Sequence, residues 1–315
     1  MDIRFAPMEG LTDAVFRRVH NRCFGGVDSY YIPFISPTVH HVITPREARL
    51  IAFDPAYRAV PQIMTHNADD FLWAAEVLRD MGYDEVNLNI GCPAGTVTAK
   101  TKGSGLLRAP DVLKALLDGI CEKSCLPVSV KTRIGFDSPE EWPALLDLLR
   151  QYPFKEVIIH PRTRREFYKG DVHMDCFDAA VQTGLPLCYN GNLFLPSDCQ
   201  AMAAQYPDMP LMIGRGLIAN PAMARQAKGG APLTVDELKR YHDALYAEYS
   251  AIYPADQVHC KLRAIMKSVS GCFADSRKAF KALCKSNPDT YDAAVARLFD
   301  LPLLDEPGYN HEAWS

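Results

Sequence analysis

No run in the 315 residues reaches the roughly 18 consecutive apolar positions that a membrane span requires. The first residues, Met1-Asp2-Ile3-Arg4-Phe5-Ala6-Pro7-Met8, lack the basic-then-apolar layout of a signal peptide, so a cytoplasmic location is expected. No two of the ten cysteines have Cys-x-x-Cys spacing, which leaves a zinc or redox centre without support, and no metal is expected. Without a secretory leader they also argue against a disulfide framework. Nine read as buried free thiols; Cys92 is the exception. No Gly-x-Gly-x-x-Gly follows the first strand, which weakens a dinucleotide-binding open sheet. There is no excess of positive charge either: 34 Lys and Arg against 38 Asp and Glu leave a net charge of −4. Any nucleic-acid contact must therefore come from a local patch. What is present is ordinary globular composition, 48% hydrophobic and 23% charged, with enough apolar material for a sizeable core.

Short β-rich runs alternate with amphipathic stretches. Strands are predicted at 4–7, 28–34, 59–64, 84–89, 127–132, 155–160, 186–190 and 210–214. Helical patterns follow at 13–23, 46–52, 69–81, 110–123, 139–150, 174–183, 197–205 and 217–226. In 69–81 the apolar residues Phe71, Leu72, Ala75, Val77 and Leu78 recur at helical spacing, and Asp69 and Asp70 suit the first turn. Eight βα units predict a (β/α)8 TIM barrel. Lys228-Gly229-Gly230-Ala231-Pro232 interrupts the pattern, and only helical patterns follow, at 234–250, 257–270, 275–286 and 290–299. The expected organisation is a barrel over 1–230 and a small all-helical domain over 231–315.

Active-site groups of such barrels sit where strands run into βα loops. The unusual polar residues collect there: Glu9 after strand 1, Gln62 on strand 3, Asn89 and Cys92 after strand 4, Lys131 and Arg133 at the end of strand 5, His160 and Arg162 after strand 6, Asn190 and Asn192 after strand 7, and Arg215 after strand 8. A barrel with no chemistry to perform has no need of them.

These residues fall in longer motifs: Ala6-Pro7-Met8-Glu9-Gly10-Leu11-Thr12-Asp13, Asn87-Leu88-Asn89-Ile90-Gly91-Cys92-Pro93, Gly103-Ser104-Gly105-Leu106-Leu107, Val130-Lys131-Thr132-Arg133-Ile134-Gly135, Arg162-Thr163-Arg164 through Tyr168-Lys169-Gly170, Asn190-Gly191-Asn192 and Met212-Ile213-Gly214-Arg215-Gly216. In order and content the set resembles the bacterial type of tRNA-dihydrouridine synthase, a family of flavin enzymes that reduce uridine in RNA. The resemblance implies FMN as cofactor and NADPH as reductant. It implies that Pro7, Met8 and Glu9 lie along the flavin, that Gln62 and Lys131 meet its ring edge, and that His160 lies toward the phosphate. Asn190, Gly191, Asn192, Gly214 and Arg215 would hold the phosphate, for which glycine turns, backbone donors and a cation are suited.

Reduction of the uracil C5–C6 bond needs a hydride at C6 and a proton at C5. A free thiol, with a pKa of about 8.5, is mostly protonated at neutral pH and can donate. The resemblance gives that role to Cys92 and sets Asn89 to orient the uracil or flavin edge. The tRNA partner needs cations. Residues 160–170 hold Arg162, Arg164, Arg165 and Lys169 against Glu166, and 259–285 hold Lys261, Arg263, Lys267, Arg277, Lys278, Lys281 and Lys285 against Asp275. Arg133, Arg162, Arg164, Lys267 and Lys281 are expected to contact the RNA. No membrane and no obligate protein partner is expected. Pro161, Asn192 and Gly105 depart from the family pattern, which leaves the subfamily and the target uridine open. Two other readings stand: a flavin oxidoreductase for a free pyrimidine or another small unsaturated substrate, to which the basic tail would be superfluous, and an RNA-binding module that has lost catalysis.

Overall fold

A computed structural model describes residues 1–309. Eight strands, β1 (Ile3–Phe5), β2 (Ser29–Ile35), β3 (Ala59–Ile63), β4 (Val86–Ile90), β5 (Val128–Gly135), β6 (Glu156–Thr163), β7 (Leu187–Tyr189) and β8 (Leu211–Ile213), form a closed barrel in sequence order. The pairings are parallel, with helices between the strands, so the fold is the expected (β/α)8 barrel followed by helices. Alternation along each strand separates two environments. On β4, Val86, Leu88 and Ile90 are fully buried, while Asn87 and Asn89 point the other way and bond to Gln62 of β3. The barrel interior here is thus amide-filled in place of the usual branched aliphatic layers.

The structure departs from expectation, beginning with the strands. β5 and β6 run on to Gly135 and Thr163, with a register shift between Arg133 and Gly135. This bulge carries the pairing past Pro161, where the strand was expected to stop, so Arg133 and Arg162 are strand residues. The expected helix over 217–226 is two short ones, Arg215–Ala219 and Met223–Ala227. Pro221 has no N–H to continue the first, and Asn220 Oδ1 accepts from Ala222 N at the break. After β4, Gly95–Thr98 and the 3₁₀ turn Gly103–Arg108 are too short to leave a periodic signal.

The chain forms two compact units. One holds Tyr31–Asn192 and Met209–Met212; the other holds Met1–Tyr30, Leu193–Asp208 and the chain from Ile213 onward. In the second unit the helix Val235–Ser250 packs on the first helix, Ala14–Phe24. Tyr241 meets the rings of Phe16, His20 and Phe24 edge-on. Asp13 caps the first helix through Phe16 N, accepts from Tyr249 Oη at 2.9 Å and pairs with Lys261 Nζ at 2.7 Å. No helix among the described residues is long and apolar enough to cross a membrane.

Candidate active site

In the unit built on Tyr31–Asn192, the segment Gly91-Cys92-Pro93 leaves β4 with its backbone polar groups held by side chains. Asn89 Oδ1 accepts from Gly91 N at 3.0 Å and from Cys92 N at 2.9 Å. Gly91 O accepts from Arg133 Nε at 3.0 Å. Cys92 O accepts from both the amide and the hydroxyl of Ser104, at 3.1 and 2.8 Å. Pro93 O accepts from Arg164 Nε at 3.2 Å. Gly103 delivers Ser104 to this position. It has φ +55°, and a Cβ there would stand 3.0 Å from Cys92 Cβ, so only glycine serves. The thiol is half-buried on a peptide that has almost no freedom left.

Lys131 follows on β5 beside Asn89. Burial pushes its ammonium down to about 8, and the nearby Arg133 adds to the shift, while the Cys188 and Cys92 thiols act the other way. Among the described residues its Nζ has no hydrogen-bond acceptor and no ion-pair partner. A cation left in this state inside a barrel is suited to an anionic or carbonyl ligand.

His160, Arg162 and Asn192 form one group. The Arg162 guanidinium, which can only donate, reaches His160 Nε2 at 3.2 Å, Asn192 Oδ1 at 3.1 Å, Lys169 O at 3.2 Å and Gly170 O. His160 Nε2 is therefore the acceptor, and its ring stacks on Tyr168 at 5.9 Å. Asn190 donates to Met212 O at 2.8 Å, and a side chain on Gly191 would collide with Tyr189 Oη. Gln62 is 1% exposed, its amide spanning Asn87 and Asn89 at 2.7 and 2.6 Å.

In the other unit, Met8 O accepts from Leu11 N and Thr12 N in a turn after Pro7 that leaves Glu9 exposed. A Cβ on Gly214 would lie 2.9 Å from Met8 Sδ, which explains the glycine there. Arg215 Nη1 donates to Tyr309 Oη at 3.0 Å, and its guanidinium lies about 5 Å from the stacked rings of Phe194 and Tyr309.

The model of the dihydrouridine synthase (Dus) family matches residues 4–298. The chain belongs to the dihydrouridine synthase family. It is 30% identical over 258 residues to a probable tRNA-dihydrouridine synthase of Staphylococcus aureus, covering 78% of this chain and 77% of that one. It is 30% identical over 255 residues to the probable tRNA-dihydrouridine synthase 2 of Bacillus subtilis, covering 78% of each chain. Among solved structures, an old yellow enzyme homologue from Zymomonas mobilis superposes with a TM-score of 0.50 over 74% of this chain and 89% of that one, at 11% identity, a likeness of fold.

The cations expected to meet RNA divide into two kinds. Arg133 and Arg162 are 1% exposed; backbone carbonyls take up Arg133, whose Nη1 reaches Thr163 O and Phe167 O at 2.8 and 2.7 Å, and carbonyls, His160 and Asn192 take up Arg162. In this structure they brace loops and offer no face to a phosphate. Arg164 is intermediate, packed on Phe136 and Phe167 as well as on Pro93 O. Lys267 lies over the Phe280 ring at 5.7 Å, whereas Lys281 is exposed. Reading the sequence missed Ser104 and Arg164 as supports of the Cys92 segment. Ser104 lies within the Gly103–Leu107 motif, and its spacing to a motif cysteine was the only signal to find it by.

Proposed function

We propose that the protein is an FMN-dependent, NADPH-driven tRNA-dihydrouridine synthase of the cytoplasm, with Cys92 as the acid. The observation that carries this reading is the Cys92 segment, fixed at five backbone groups beside a lysine that has no partner among the described residues. The residues fit a flavin: the Lys131 ammonium is the polar atom in need of a ligand, and the pyrimidine edge of a flavin offers carbonyl oxygens that become more negative on reduction. FMN, once reduced by NADPH, would supply the hydride to C6 of the uracil. Lys131 would hold the ring edge, with Asn89 and Gln62 beside it. Pro7, Met8, Glu9, His160, Asn190, Gly191, Asn192, Gly214 and Arg215 keep the cofactor roles that family membership suggests.

Cys92 would give its proton to C5, leaving a thiolate. Lys131 and Arg133 are near enough for that negative charge to raise both their pKa values, so the two cations favour the thiolate as it forms. Partial exposure of the residue lets solvent return the proton before the next turnover. A uridine in folded tRNA must be turned out of its stack to reach the thiol.

The deciding test is single-turnover chemistry with Cys92→Ala. The variant should bind FMN and accept electrons from NADPH at the wild-type rate. Its yield of dihydrouridine in tRNA should fall by about 10²–10⁴, the range for loss of a positioned acid. Mass spectrometry of the RNA reads this directly, and full product yield would remove Cys92 as the acid.

A further inference from the structure

Below Cys92, one continuous hydrogen-bond chain runs the length of β4. Arg58 Nη2 and Lys155 Nζ hold Glu85 Oε2 at 2.9 and 2.7 Å. Ser129 Oγ donates to Glu85 Oε1 at 2.7 Å, and Asn87 Nδ2 donates to Ser129 Oγ at 2.9 Å. Gln62 Nε2 donates to Asn87 Oδ1, and Asn89 Nδ2 to Gln62 Oε1. Asn89 Oδ1 then receives the amides of Gly91 and Cys92. All the side chains from Glu85 to Asn89 are buried, 7% exposed at most. From residue 85 to residue 89 the chain covers about 13 Å of strand.

Every donor in this series points toward Glu85. A carboxylate can only accept, so Ser129 must donate to it and receive Asn87 Nδ2. That leaves Asn87 Oδ1 for Gln62, Gln62 Oε1 for Asn89, and Asn89 Oδ1 for the catalytic segment. Reversed, the same amides would set the Asn89 NH2 against the N–H groups of Gly91 and Cys92. We propose that Glu85 is a positioning residue for Cys92: its carboxylate sets the direction of the chain and so turns the Asn89 carbonyl to the peptide that carries the thiol. The proposal rests on Cys92 as the acid. Polarisation along a one-way chain also strengthens each link.

Glu85→Gln tests the direction. Arg58 and Lys155 hold the carbonyl end of the new amide, so its NH2 faces Ser129 and the chain reverses. Asn87→Asp added to Glu85→Gln places a carboxylate two residues higher; it accepts from both Ser129 and Gln62, and the upper half regains its direction. Ser129→Ala cuts the chain with little loss of volume. The measurement is amide hydrogen exchange at Cys92 in the full chain labelled with 15N-cysteine, alongside single-turnover uridine reduction of the FMN-loaded enzyme. Glu85→Gln and Ser129→Ala should each raise exchange at Cys92 and slow uridine reduction by about tenfold, the effect of removing one hydrogen bond. The double variant should return within about twofold of wild type, which a merely structural loss of the Glu85 ion pairs would not do. Exchange at Cys92 unaltered in folded Ser129→Ala, or a double variant no better than Glu85→Gln alone, overturns the proposal. Exchange needs no RNA, so it decides the chain even if Cys92→Ala were to keep making dihydrouridine and the acid reading fell.

Discussion

In residues 160–170 the Arg162 guanidinium is spent on two backbone carbonyls, a histidine nitrogen and an asparagine oxygen, and Arg164 is spent on Pro93 O and two aromatic rings. On the helix Arg277–Lys285, by contrast, Arg277, Lys278, Lys281 and Lys285 are exposed and make no hydrogen bond or ion pair with the described residues. Residues 277, 281 and 285 follow each other at four-residue spacing, so they share one face. Both stretches are arginine- and lysine-rich runs in an acidic chain. Charge turned inward fixes geometry and is indifferent to salt, whereas charge left in water attracts phosphate and is screened by salt. On the function proposed above, Arg162 and Arg164 would serve the chemistry and the exposed helix Arg277–Lys285 the grip on RNA.

The largest effect should come from an inward charge. Arg133→Ala frees the carbonyls of Gly91, Thr163 and Phe167 together. Hydrogen bonds from a charged donor contribute about 1.5–3 kcal/mol each to a buried site, and a loss of about 3 kcal/mol in urea unfolding is expected. Uridine reduction should fall by about a hundredfold, since the Cys92 segment loses one of its supports. The comparison requires that this defect be the same at low and high salt; a defect that high salt deepens would place Arg133 with the RNA-binding charges.

Lys131 is the inward charge that no described residue spends, and it sharpens the contrast. Its folded-state pKa is lowered from 10.5 to about 8, so the unfolded chain binds more protons across that window. Stability then rises with pH from about 8 to about 10, and below 8 the partly desolvated ammonium is a cost. Lys131→Met should accordingly be more stable than wild type at pH 7, by a margin that shrinks toward pH 10; on the proposed role of Lys131 at the flavin edge, FMN affinity should drop by about tenfold through loss of a charge-assisted hydrogen bond. Urea midpoints at the two pH values and flavin fluorescence titration read both. A margin equal at pH 7 and pH 10 would mean that packing, and not the ammonium, sets the difference.

The strands were readable because runs such as Pro127-Val128-Ser129-Val130 alternate and are bounded by breakers, and the site was readable as far as polar residues at strand ends mark a barrel mouth. The use of each polar residue was not. Arg133 is expected at the end of strand 5 and Arg162 just after strand 6, because the bulge that lengthens β5 and β6 has no sequence signature. The direction of the Glu85–Asn89 chain depends on which amide end meets which neighbour across three strands, and residue identity is silent on that. Lys261 counted as part of the basic run, yet its partner Asp13 lies 248 positions away.

That last pairing yields the smallest and most discriminating prediction. Lys278→Glu with Lys281→Glu reverses two outward charges and should weaken tRNA binding by about tenfold near physiological salt, with a salt dependence shallower by about 0.7–0.9 for each phosphate left unneutralised. Lys261→Met, from the same run of sequence, should leave tRNA affinity within about twofold, because its ammonium is bound to Asp13 and lies over Tyr249 and Tyr253. Its cost should appear as about 2 kcal/mol of stability, between the values for exposed and fully buried pairs, because Asp13 would lose its counter-charge. Filter binding across a salt series and urea unfolding separate the two variants. If Lys261→Met weakened tRNA binding as much as the double reversal while unfolding at the wild-type midpoint, the division between inward and outward charge would fail in the helical tail.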